Sequence, residues 1–572
     1  MNNYSEIWNQ WRALPTMPEA LCAQMDAMQD DPEAIRGAFG AELQFGTAGL
    51  RGIMGPGPNR LNVYTVRRTA LGMASWLNST TLPKRCAIGY DSRHNSVLFA
   101  QVCACAFAEN GIETWLYHEL APTPMLSFAV RKMECGCGIV ISASHNSGEY
   151  NGVKCYGPDG CQMTDEPAAV VMERITAIDA LSEPVRPYEA WLADGMVKLL
   201  PQSIWEDYYQ TVLNEGLRLD ETPAADLQVI YTPLCGTGNK PVREVLRRMG
   251  VTVHVVASQE HPDGDFKTCE YPNPESDAAL AESCRMAENQ PCDLIFGTDP
   301  DCDRITVAIP GADGFRKLTG NELGCLLLDY ILRARTERAN LPEGAFAVRS
   351  IVSSAMADRI CEKYGCQMRA VLTGFKWIGG EILKEEEQGT QDRFVFGFEE
   401  SCGYLKGTYA RDKDAVVASM LVCEMAAWYK QQGMNLVAAM DAIYQEFGFT
   451  LDRVISFELT GADAMEKAAA LMQSLRTSAP SSLGGFAVDE VRDYQEQTIR
   501  AVPSGACVPL ELPKSNVLEF RIGARGRMVV RPSGTEPKVK FYLTAIAPSP
   551  IEARELLDCL EKNVHSFMPA DE

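Results

Sequence analysis

The sequence lacks the patterns that mark membrane and exported proteins. Its longest nearly apolar stretch runs from Ala415 to Tyr429 and contains Glu424, so it is too short and too polar to span a bilayer. The first residues, MNNYSEIWNQWRAL, have neither the basic n-region nor the apolar h-region of a secretory signal. We therefore predict a cytoplasmic protein without a membrane partner.

Positive charge is scarce. The chain has 53 Lys and Arg against 76 Asp and Glu, a formal net charge of -23, and a surface of that sign repels nucleic acid and anionic lipid. This excludes a general polyanion binder and predicts no nucleic-acid partner. Because charges are screened beyond about 8 Å at physiological salt, basic side chains within a cleft can still bind a phosphorylated small molecule.

Metal-binding and redox motifs built on cysteine are also absent. The 20 cysteines are scattered and form no C-x-x-C pair, and the six histidines have no pairing at helical spacing. This predicts reduced, buried thiols rather than a disulfide framework or a structural zinc site. A dinucleotide motif is incomplete as well, because Gly236 and Gly238 are followed by Pro241 where the third glycine belongs.

The length and patterning present indicate a multidomain enzyme. At roughly 150 residues per domain, 572 residues suffice for about four domains. Short β-branched runs alternate with helical periods, which predicts three successive α/β domains with largely parallel sheets. Strand patterns near the end predict a smaller α+β domain. The predicted boundaries give an N-terminal helical extension over 1–40 and domains over 41–205, 206–320, 321–455 and 456–572.

Residues 299–304 (DPDCDR) directly follow a predicted buried strand. Their three carboxylates alternate with other residues, so a turning loop can direct all three at one hard cation such as Mg²⁺. A calcium hand is excluded because Arg304 and Pro310 stand where it needs Gly and Glu. A solvated acidic turn is the alternative, but the carboxyl end of a strand is where α/β proteins bind ligands. Mg²⁺ usually keeps water or phosphate ligands, so a phosphoryl group is expected there.

Residues 142–147 (SASHNS) follow the strand pattern GIVIS. Ser144 beside His145 suggests a nucleophile, yet no G-x-S-x-G elbow surrounds it, and adjacent side chains rarely face each other. Alone, the loop fits a set of hydrogen-bonding residues as well as a nucleophile. Together with a metal loop, Ser144 becomes a candidate phosphoryl carrier.

Residues 398–404 (FEESCGY) place Glu399 and Ser401 on a Gly-containing turn after a strand. Vicinal carboxylate and hydroxyl groups suit the hydroxyls of a sugar. A glycosidase pair and a plain acidic turn are the alternatives.

Residues 531–537 (RPSGTEP) lie between two predicted strands. Arg531 can bind phosphate through two hydrogen bonds, and the hydroxyls and glycine that follow can form an anion nest. This pattern favours phosphate binding over a plain turn.

Together these loops and the opening segment 45–52 (FGTAGLRG) resemble the phosphoglucomutase/phosphomannomutase family, the α-D-phosphohexomutases. The length and opening are similar to the longer phosphoglucomutase-2-like branch, which also includes phosphopentomutases. The resemblance implies four domains around a central cleft. Ser147 and Cys302 depart from the family pattern, where a proline and a small residue are usual, and we expect this to change loop stiffness only.

The resemblance also implies the functional residues. Ser144 is carried as phosphoserine, and Mg²⁺ is held by that phosphate and by Asp299, Asp301 and Asp303. The groups near the transferred phosphoryl are Arg51, His145, Lys154 and Arg304, with Lys154 a candidate for proton transfer. The substrate-binding residues are Thr47, Lys376, Glu399, Ser401, Arg531, Ser533, Gly534 and Thr535.

By this resemblance the chain interconverts glucose 1-phosphate and glucose 6-phosphate through glucose 1,6-bisphosphate, as a monomer or homodimer. Mannose or pentose phosphates are alternative substrates for the same mechanism. A Mg²⁺-dependent phosphatase of the aspartyl-phosphate type is a rival, but its D-x-D-x-T/V motif is not supplied. A non-catalytic sugar-phosphate sensor is disfavoured because every motif keeps its reactive side chain.

Overall fold

The structure, a computed structural model, describes residues 4–44, 46, 49–312, 314–459, 464–533 and 538–568. They belong to two compact units. The first runs to Leu318 and also contains Gly379–Phe394 and Ser401–Gly433. The second consists of Thr319–Ile378, Val395–Glu400 and the chain from Met434 onward. Within the described ranges, no helix has the length and apolar character needed to cross a membrane.

The N-terminal extension contains three helices: α1 Tyr4–Arg12, α2 Glu19–Met28 and α3 Pro32–Phe39. The side chain of Asp31 accepts hydrogen bonds from the first turn of α3, and Pro32 occupies its first position, as is common at helix starts. Trp8 and Trp11 pack edge-on against Phe39, with ring centroids 5.1 and 5.7 Å away. Trp11 also packs edge-on against Tyr64 of the first domain, with 5.2 Å between the ring centroids, so this aromatic cluster attaches the extension to that domain.

The first domain follows with one mixed sheet. Its strands are β1 Gly49–Ile53, β2 Arg85–Tyr90, β3 Glu113–Leu116, β4 Cys137–Ile141, β5 Tyr150–Tyr156 and β6 Val197–Leu199. Its helices are α4 Val63–Asn78, α5 Ser96–Glu109, α6 Thr123–Lys132, α7 Asp165–Thr176 and α8 Tyr188–Ala193. The sheet order is β1-β5-β4-β2-β3-β6. The run β4-β2-β3-β6 is parallel, and β1 and β5 are antiparallel additions.

The second domain contains helices α9 Ser203–Asn214, α10 Asn239–Arg248 and α11 Ala281–Ala287, and strands β7 Gln228–Thr232, β8 Thr252–Val255, β9 Leu294–Thr298, β10 Ile305–Gly311 and β11 Gly314–Leu318. Its sheet order is β11-β10-β9-β7-β8. Strand β7 pairs in parallel with β8 and β9, whereas β10 is antiparallel to β9 and β11. The carboxyl end of β9 leads directly into the acidic loop.

The third domain contains helices α12 Gly320–Glu337, α13 Met356–Tyr364, α14 Phe375–Glu386, α15 Ala415–Gln431 and α16 Leu436–Phe447, and strands β12 Phe346–Ser350, β13 Gln367–Val371, β14 Phe394–Glu399 and β15 Gly403–Leu405. Strands β13, β12 and β14 are neighbours in that order, and β12 and β13 are parallel. Thr319 and Glu322 form a capping box at the start of α12, which fixes where that helix begins.

The fourth domain is built on an antiparallel sheet. Its strands are β16 Phe449–Glu458, β17 Ser482–Leu483, β18 Phe486–Ala487, β19 Glu490–Asp493, β20 Thr498–Ala501, β21 Cys507–Pro509, β22 Leu518–Arg521, β23 Gly526–Pro532 and β24 Lys538–Ala547, with helices α17 Ala464–Thr477 and α18 Pro550–Phe567. Seven strands form one sheet in the order β16-β24-β23-β22-β19-β20-β21. This sheet includes the whole of β16, so the predicted domain boundary at residue 456 falls within that strand.

The predicted α/β organisation with a different C-terminal domain is confirmed. Strands that read as continuous apolar runs, such as β4 and β9, are buried along their whole length, as in central parallel strands. The sequence did not predict β19, β20 and β21, because these strands are short and partly polar and leave no clear alternating pattern.

Candidate active site

The serine loop lies between β4 and β5 in the first unit. Ser144 is 3% exposed, and its φ of 52° is in the left-handed region, which costs energy for a residue with a side chain. The backbone N–H of Ser144 donates to Oγ of Ser142 at 2.8 Å. The side chains of the loop therefore support a turn that a free chain would rarely adopt.

The acidic loop connects β9 to β10 in the same unit. The backbone N–H groups of Asp303 and Arg304 both donate to Oδ1 of Asp299, at 3.0 and 2.9 Å. Cys302 adopts φ 54°, and its N–H donates to the carbonyl of Asp299 at 2.9 Å. This folding buries all three aspartates almost completely: Asp299, Asp301 and Asp303.

The two loops meet at the hydroxyl of Ser144. Its Oγ donates to Oδ2 of Asp299 at 2.9 Å and lies 3.1 Å from Nδ1 of His145. The structure thus brings the predicted carrier into direct contact with the predicted metal loop, although 155 positions separate them in the chain.

The three aspartates form a cluster that fits a hard cation. One carboxylate oxygen from each lies within 4.8 Å of the other two. Oδ1 of Asp301 and Oδ1 of Asp303 are buried and have no hydrogen-bond partner among the described residues. Buried oxygens normally find a donor or a cation, and carboxylate oxygens are what Mg²⁺ and Ca²⁺ prefer. The donor set and its two unsatisfied oxygens therefore fit a metal ion.

Two lysines partly neutralise the cluster. Nζ of Lys154 lies 2.6 Å from Oδ2 of Asp301 and 3.3 Å from Oδ2 of Asp303. Nζ of Lys413 lies 3.2 Å from Oδ2 of Asp303. Burial opposes ionisation of Asp301. The ammonium of Lys154 and the hydrogen bonds that Asp301 accepts outweigh this effect and lower the pKa of Asp301.

The carboxylates of the cluster still repel one another. Burial, followed by repulsion from Asp303 and Asp301, raises the pKa of Asp299 well above its usual value. Burial opposes the charge of Lys154, but Asp301 and Asp303 outweigh it and raise the pKa of the ammonium. A divalent cation is the kind of group that relieves repulsion between such carboxylates.

Arg304 and Arg51 lie close to His145 of the serine loop. A guanidinium nitrogen of Arg51 donates to Oδ1 of Asn146 at 3.0 Å, and the guanidinium of Arg304 pairs with Glu275 at 3.2 Å. Burial first, then the charges of Arg304 and Arg51, lower the pKa of His145 well below its ordinary value. The imidazole beside Ser144 is therefore neutral, in a surrounding that favours anions.

Three residues of this centre were missed by sequence reasoning: Thr123, Arg93 and Lys413. Oγ1 of Thr123 donates to Oδ2 of Asp301 at 2.7 Å, and Arg93 donates to the carbonyl of Ser144 at 2.7 Å. Lys413 belongs to the run RDKD directly before the apolar helix α15. In the sequence, the one signal for Lys413 was this run of four consecutive charged residues directly before a buried helix.

Glu399, in the loop 398–404 that is predicted to bind sugar hydroxyls, and Lys376 both belong to the second unit. Oε1 of Glu399 accepts a hydrogen bond from the backbone N–H of Gly374 at 2.7 Å. This bond connects the loop before Lys376 to the end of β14. Both side chains are mostly buried, and Nζ of Lys376 lies 5.3 Å from the ring centroid of Trp377. Ser401 belongs to the first unit.

The phosphate-loop residues also lie in the second unit. Arg531 is in β23 opposite Lys540 of β24, so two basic residues face each other across the pair. The N–H of Ser533 donates to the carbonyl of Lys538 at 2.7 Å. Thr47, Gly534 and Thr535 lie outside the described residues.

Four family models match successive parts of the chain. They are the phosphoglucomutase/phosphomannomutase α/β/α domain I over residues 42–182, domain II over 206–312, domain III over 319–447 and the C-terminal domain over 484–557. The chain belongs to the phosphoglucomutase/phosphomannomutase family. The family resemblance read from the sequence is therefore confirmed.

Individual relatives of this family extend over nearly the full length. A phosphoglucomutase of Staphylococcus aureus (strain bovine RF122 / ET3-1) is 34% identical over 519 residues, 90% of this chain and 91% of the relative. Among solved structures, Paramecium pp63/parafusin, a phosphoglucomutase in its open form, matches with a TM-score of 0.66, 17% identity and coverage of 92% of this chain and 95% of that one. Aspergillus fumigatus N-acetylphosphoglucosamine mutase, in complex with GlcNAc-6P and magnesium, matches with a TM-score of 0.51, 15% identity and coverage of 94% and 98%.

Proposed function

We propose that the protein is a phosphoglucomutase that interconverts glucose 1-phosphate and glucose 6-phosphate through a phosphorylated Ser144. The observation that carries the proposal is the hydrogen bond of 2.9 Å between Oγ of Ser144 and Asp299. It places a hydroxyl at the edge of a buried carboxylate cluster surrounded by basic groups. The naming of relatives at 33–34% identity as phosphoglucomutases supports glucose as the sugar.

The proposed reaction has two phosphoryl transfers. In the first, a free hydroxyl oxygen of the sugar monophosphate bonds to phosphorus as the bond from phosphorus to Oγ of Ser144 breaks, and the hydroxyl proton passes to the departing Oγ of Ser144, which becomes a hydroxyl. The resulting bisphosphate turns over in the site. In the second, Oγ of Ser144 bonds to the phosphorus of the other phosphoryl group as the bond from that phosphorus to the sugar oxygen breaks. The proton of the serine hydroxyl passes to that sugar oxygen, which leaves the positional isomer as product.

Charge neutralisation is the main task of the protein groups in such a transfer. We assign it to Arg304, Arg51 and Lys154. The ion pairs of Lys154 with Asp301 and Asp303, at 2.6 and 3.3 Å, support a neutralising role for its ammonium. His145 is neutral next to Ser144 and hydrogen-bonds to its hydroxyl in the unphosphorylated enzyme.

We assign the metal as Mg²⁺, held by the three aspartates and a phosphate oxygen of Ser144. When bound, it withdraws negative charge from the transferred phosphoryl group. The oxygen-only donor set supports Mg²⁺ over zinc or copper, and the Aspergillus mutase of the same fold was solved with magnesium.

We assign substrate recognition to the residues of the sugar and phosphate loops. Glu399, Ser401 and Lys376 would bind the sugar hydroxyls. The non-reacting phosphate would be bound by Arg531, Ser533, Gly534 and Thr535, and Thr47 is assigned to the substrate as well. The 20 free thiols, most of them buried, fit a reducing compartment, and we place the enzyme in the cytoplasm.

A coupled assay tests the sugar and the reaction together. With Mg²⁺ and a trace of hexose bisphosphate, we expect kcat/KM for glucose 1-phosphate to exceed that for mannose 1-phosphate and ribose 1-phosphate, with no release of phosphate. A preference for mannose or ribose would replace the substrate and keep the mechanism. Phosphate release without isomerisation would support a phosphatase instead.

A matched pair of serine variants tests the carrier. Ser144→Ala should lose all mutase activity and the added mass of one phosphate, whereas Ser147→Ala, a buried serine of the same loop, should keep both. Full activity of Ser144→Ala, with no phosphate on the wild-type protein by intact mass, would falsify the proposal.

A further inference from the structure

Arg93 holds the backbone of the serine loop. It follows β2, and its side chain is completely buried. Its guanidinium donates to the carbonyls of Ser144 and Ser147 at 2.7 Å each and of Tyr150 at 2.9 Å, and also to the carbonyl of Asn146. One side chain thus binds four carbonyl groups and stabilises the backbone conformation of the loop that carries Ser144.

A segment of the second domain covers this arginine. The ring of Phe266 lies over the guanidinium of Arg93, with 4.9 Å between the guanidinium carbon and the ring centroid. Phe266 is 2% exposed and has a φ of 49°. A left-handed conformation at a bulky residue persists only where the surroundings demand it, so the backbone is strained to keep this ring in place.

The backbone of the same segment also packs closely on the first domain. A Cβ at Gly264 would lie 2.8 Å from the backbone nitrogen of His94, and a Cβ at Gly148 would lie 2.6 Å from the carbonyl oxygen of Gly264. In the residue after Gly264, Oδ1 of Asp265 lies 2.6 Å from Nε2 of His94. Ring, carboxylate and backbone therefore all contact the residues beside Arg93 and the serine loop.

The other end of the segment contacts the acidic loop. Oε1 of Glu275 pairs with Arg304 at 3.2 Å, and Nζ of Lys317 donates to the carbonyl of Glu275 at 2.8 Å. Residues 263–277, which we call the strap, thus contact the support of the serine loop at one end and the metal loop at the other.

We propose that the strap positions Ser144 against the aspartate cluster, and that Phe266 is a positioning residue that acts through Arg93. The inference rests on the proposed role of Ser144 as phosphoryl carrier. The ring holds the guanidinium by cation–π attraction, so that its two terminal nitrogens stay on the loop carbonyls while Nε faces Asp91 at 3.3 Å. Misplacement of a reacting group by about 1 Å can lower a rate about a hundredfold.

The test compares Phe266→Leu, which keeps an apolar side chain but removes the ring face, with Tyr271→Leu. Tyr271 is an aromatic residue of the same strap that is 59% exposed. We expect Phe266→Leu to lower kcat tenfold or more while KM for the sugar phosphate changes less than twofold, and Tyr271→Leu to leave both unchanged. Phe266→Tyr, which restores a ring, should recover most of kcat.

A direct readout of the loop accompanies the kinetics. Hydrogen exchange of the peptide spanning residues 142–150 should become faster in Phe266→Leu and not in Tyr271→Leu. Asp265→Ala, at a half-exposed side chain, provides a variant that does not disturb the core, and we expect a smaller fall in kcat with the same acceleration of exchange.

The outcomes separate the two proposals. If the wild-type enzyme carries phosphate on Ser144 but Phe266→Leu and Asp265→Ala keep wild-type kcat and exchange, the strap does not position the carrier. A parallel rise in KM and fall in melting temperature without a kcat effect would also overturn it. If wild-type Ser144 never carries phosphate, the proposed function itself fails.

Discussion

Lys413 offers a prediction in which stability and metal affinity change in opposite directions. Its side chain is 10% exposed, and its Nζ lies 3.2 Å from Oδ2 of Asp303 and 3.2 Å from Oδ1 of Asp412. Lys413→Met removes the charge and keeps an unbranched side chain. We expect the metal-free protein to become less stable, because negative charge in the cluster loses a counterion. We expect divalent cations to bind more tightly for the same reason.

The magnitude follows from the distances. Two unit charges 3.2 Å apart attract by about 5 kcal/mol at an effective dielectric constant of about 20, and the cost of desolvation offsets much of this. Removal of one partner from a buried pair costs about 3–5 kcal/mol in practice. Because Lys154 stays 3.3 Å from the same oxygen, we expect the lower end, about 3 kcal/mol. For Mg²⁺ we expect at least a tenfold lower Kd, about 1.4 kcal/mol.

The assay is urea unfolding followed by tryptophan fluorescence, with and without Mg²⁺, together with calorimetric titration of the metal. Lys406→Met is the control, because Nζ of Lys406 pairs with Glu215 at 2.6 Å in another buried ion pair of the first unit. It should lower stability and leave metal affinity unchanged. Weaker Mg²⁺ binding by Lys413→Met, or unchanged stability without metal, would refute the reasoning.

Three further predictions concern the remaining charges. Asp301→Asn should lower kcat more than about a hundredfold with unchanged far-UV circular dichroism, and retained turnover would remove Asp301 from the metal site. Arg531→Ala should raise KM about tenfold, a loss of about 1.4 kcal/mol in substrate binding, and a change confined to kcat in steady-state kinetics would contradict this. Burial opposes ionisation of Glu519, but Arg527 and neighbouring arginines outweigh it and lower its pKa. The contribution of the ionised Glu519 to the free energy of unfolding is complete above pH 4.5 and is lost as the pH falls through the lowered pKa. The thermal unfolding midpoint of Glu519→Gln should therefore decline less steeply below pH 4.5 than that of the wild type.

Contiguous features were predictable from the sequence. The acidic loop carries its three carboxylates within five residues, directly after the buried strand β9, and such a loop has few ways to turn without gathering them. Apolar runs such as those of β4 and β14 identified strands because central strands are buried on both faces. The alternation of these strands with helices indicated the α/β domains.

Tertiary structure alone decided which distant side chains complete the centre. Thr123 on α6 and Lys413 before α15 reach Asp301 and Asp303 because chain segments far apart in sequence pack together. A lone threonine, or a lysine in a charged run, has no local pattern that predicts such a contact. The conformations of Ser144 and Cys302, at φ 52° and 54°, are likewise imposed by surrounding contacts rather than by local preference.

The sequence by itself therefore determined which side chains are available: those of a serine loop, an acidic loop and the loops 398–404 and 531–537, each at the end of a strand. Only the tertiary structure decided that Ser144 meets Asp299 and that Arg93 and Phe266 hold it there. Local sequence fixes backbone preference and residue type through short-range sterics and burial patterns. Contacts between distant segments depend on the packing of whole domains, which no local pattern encodes.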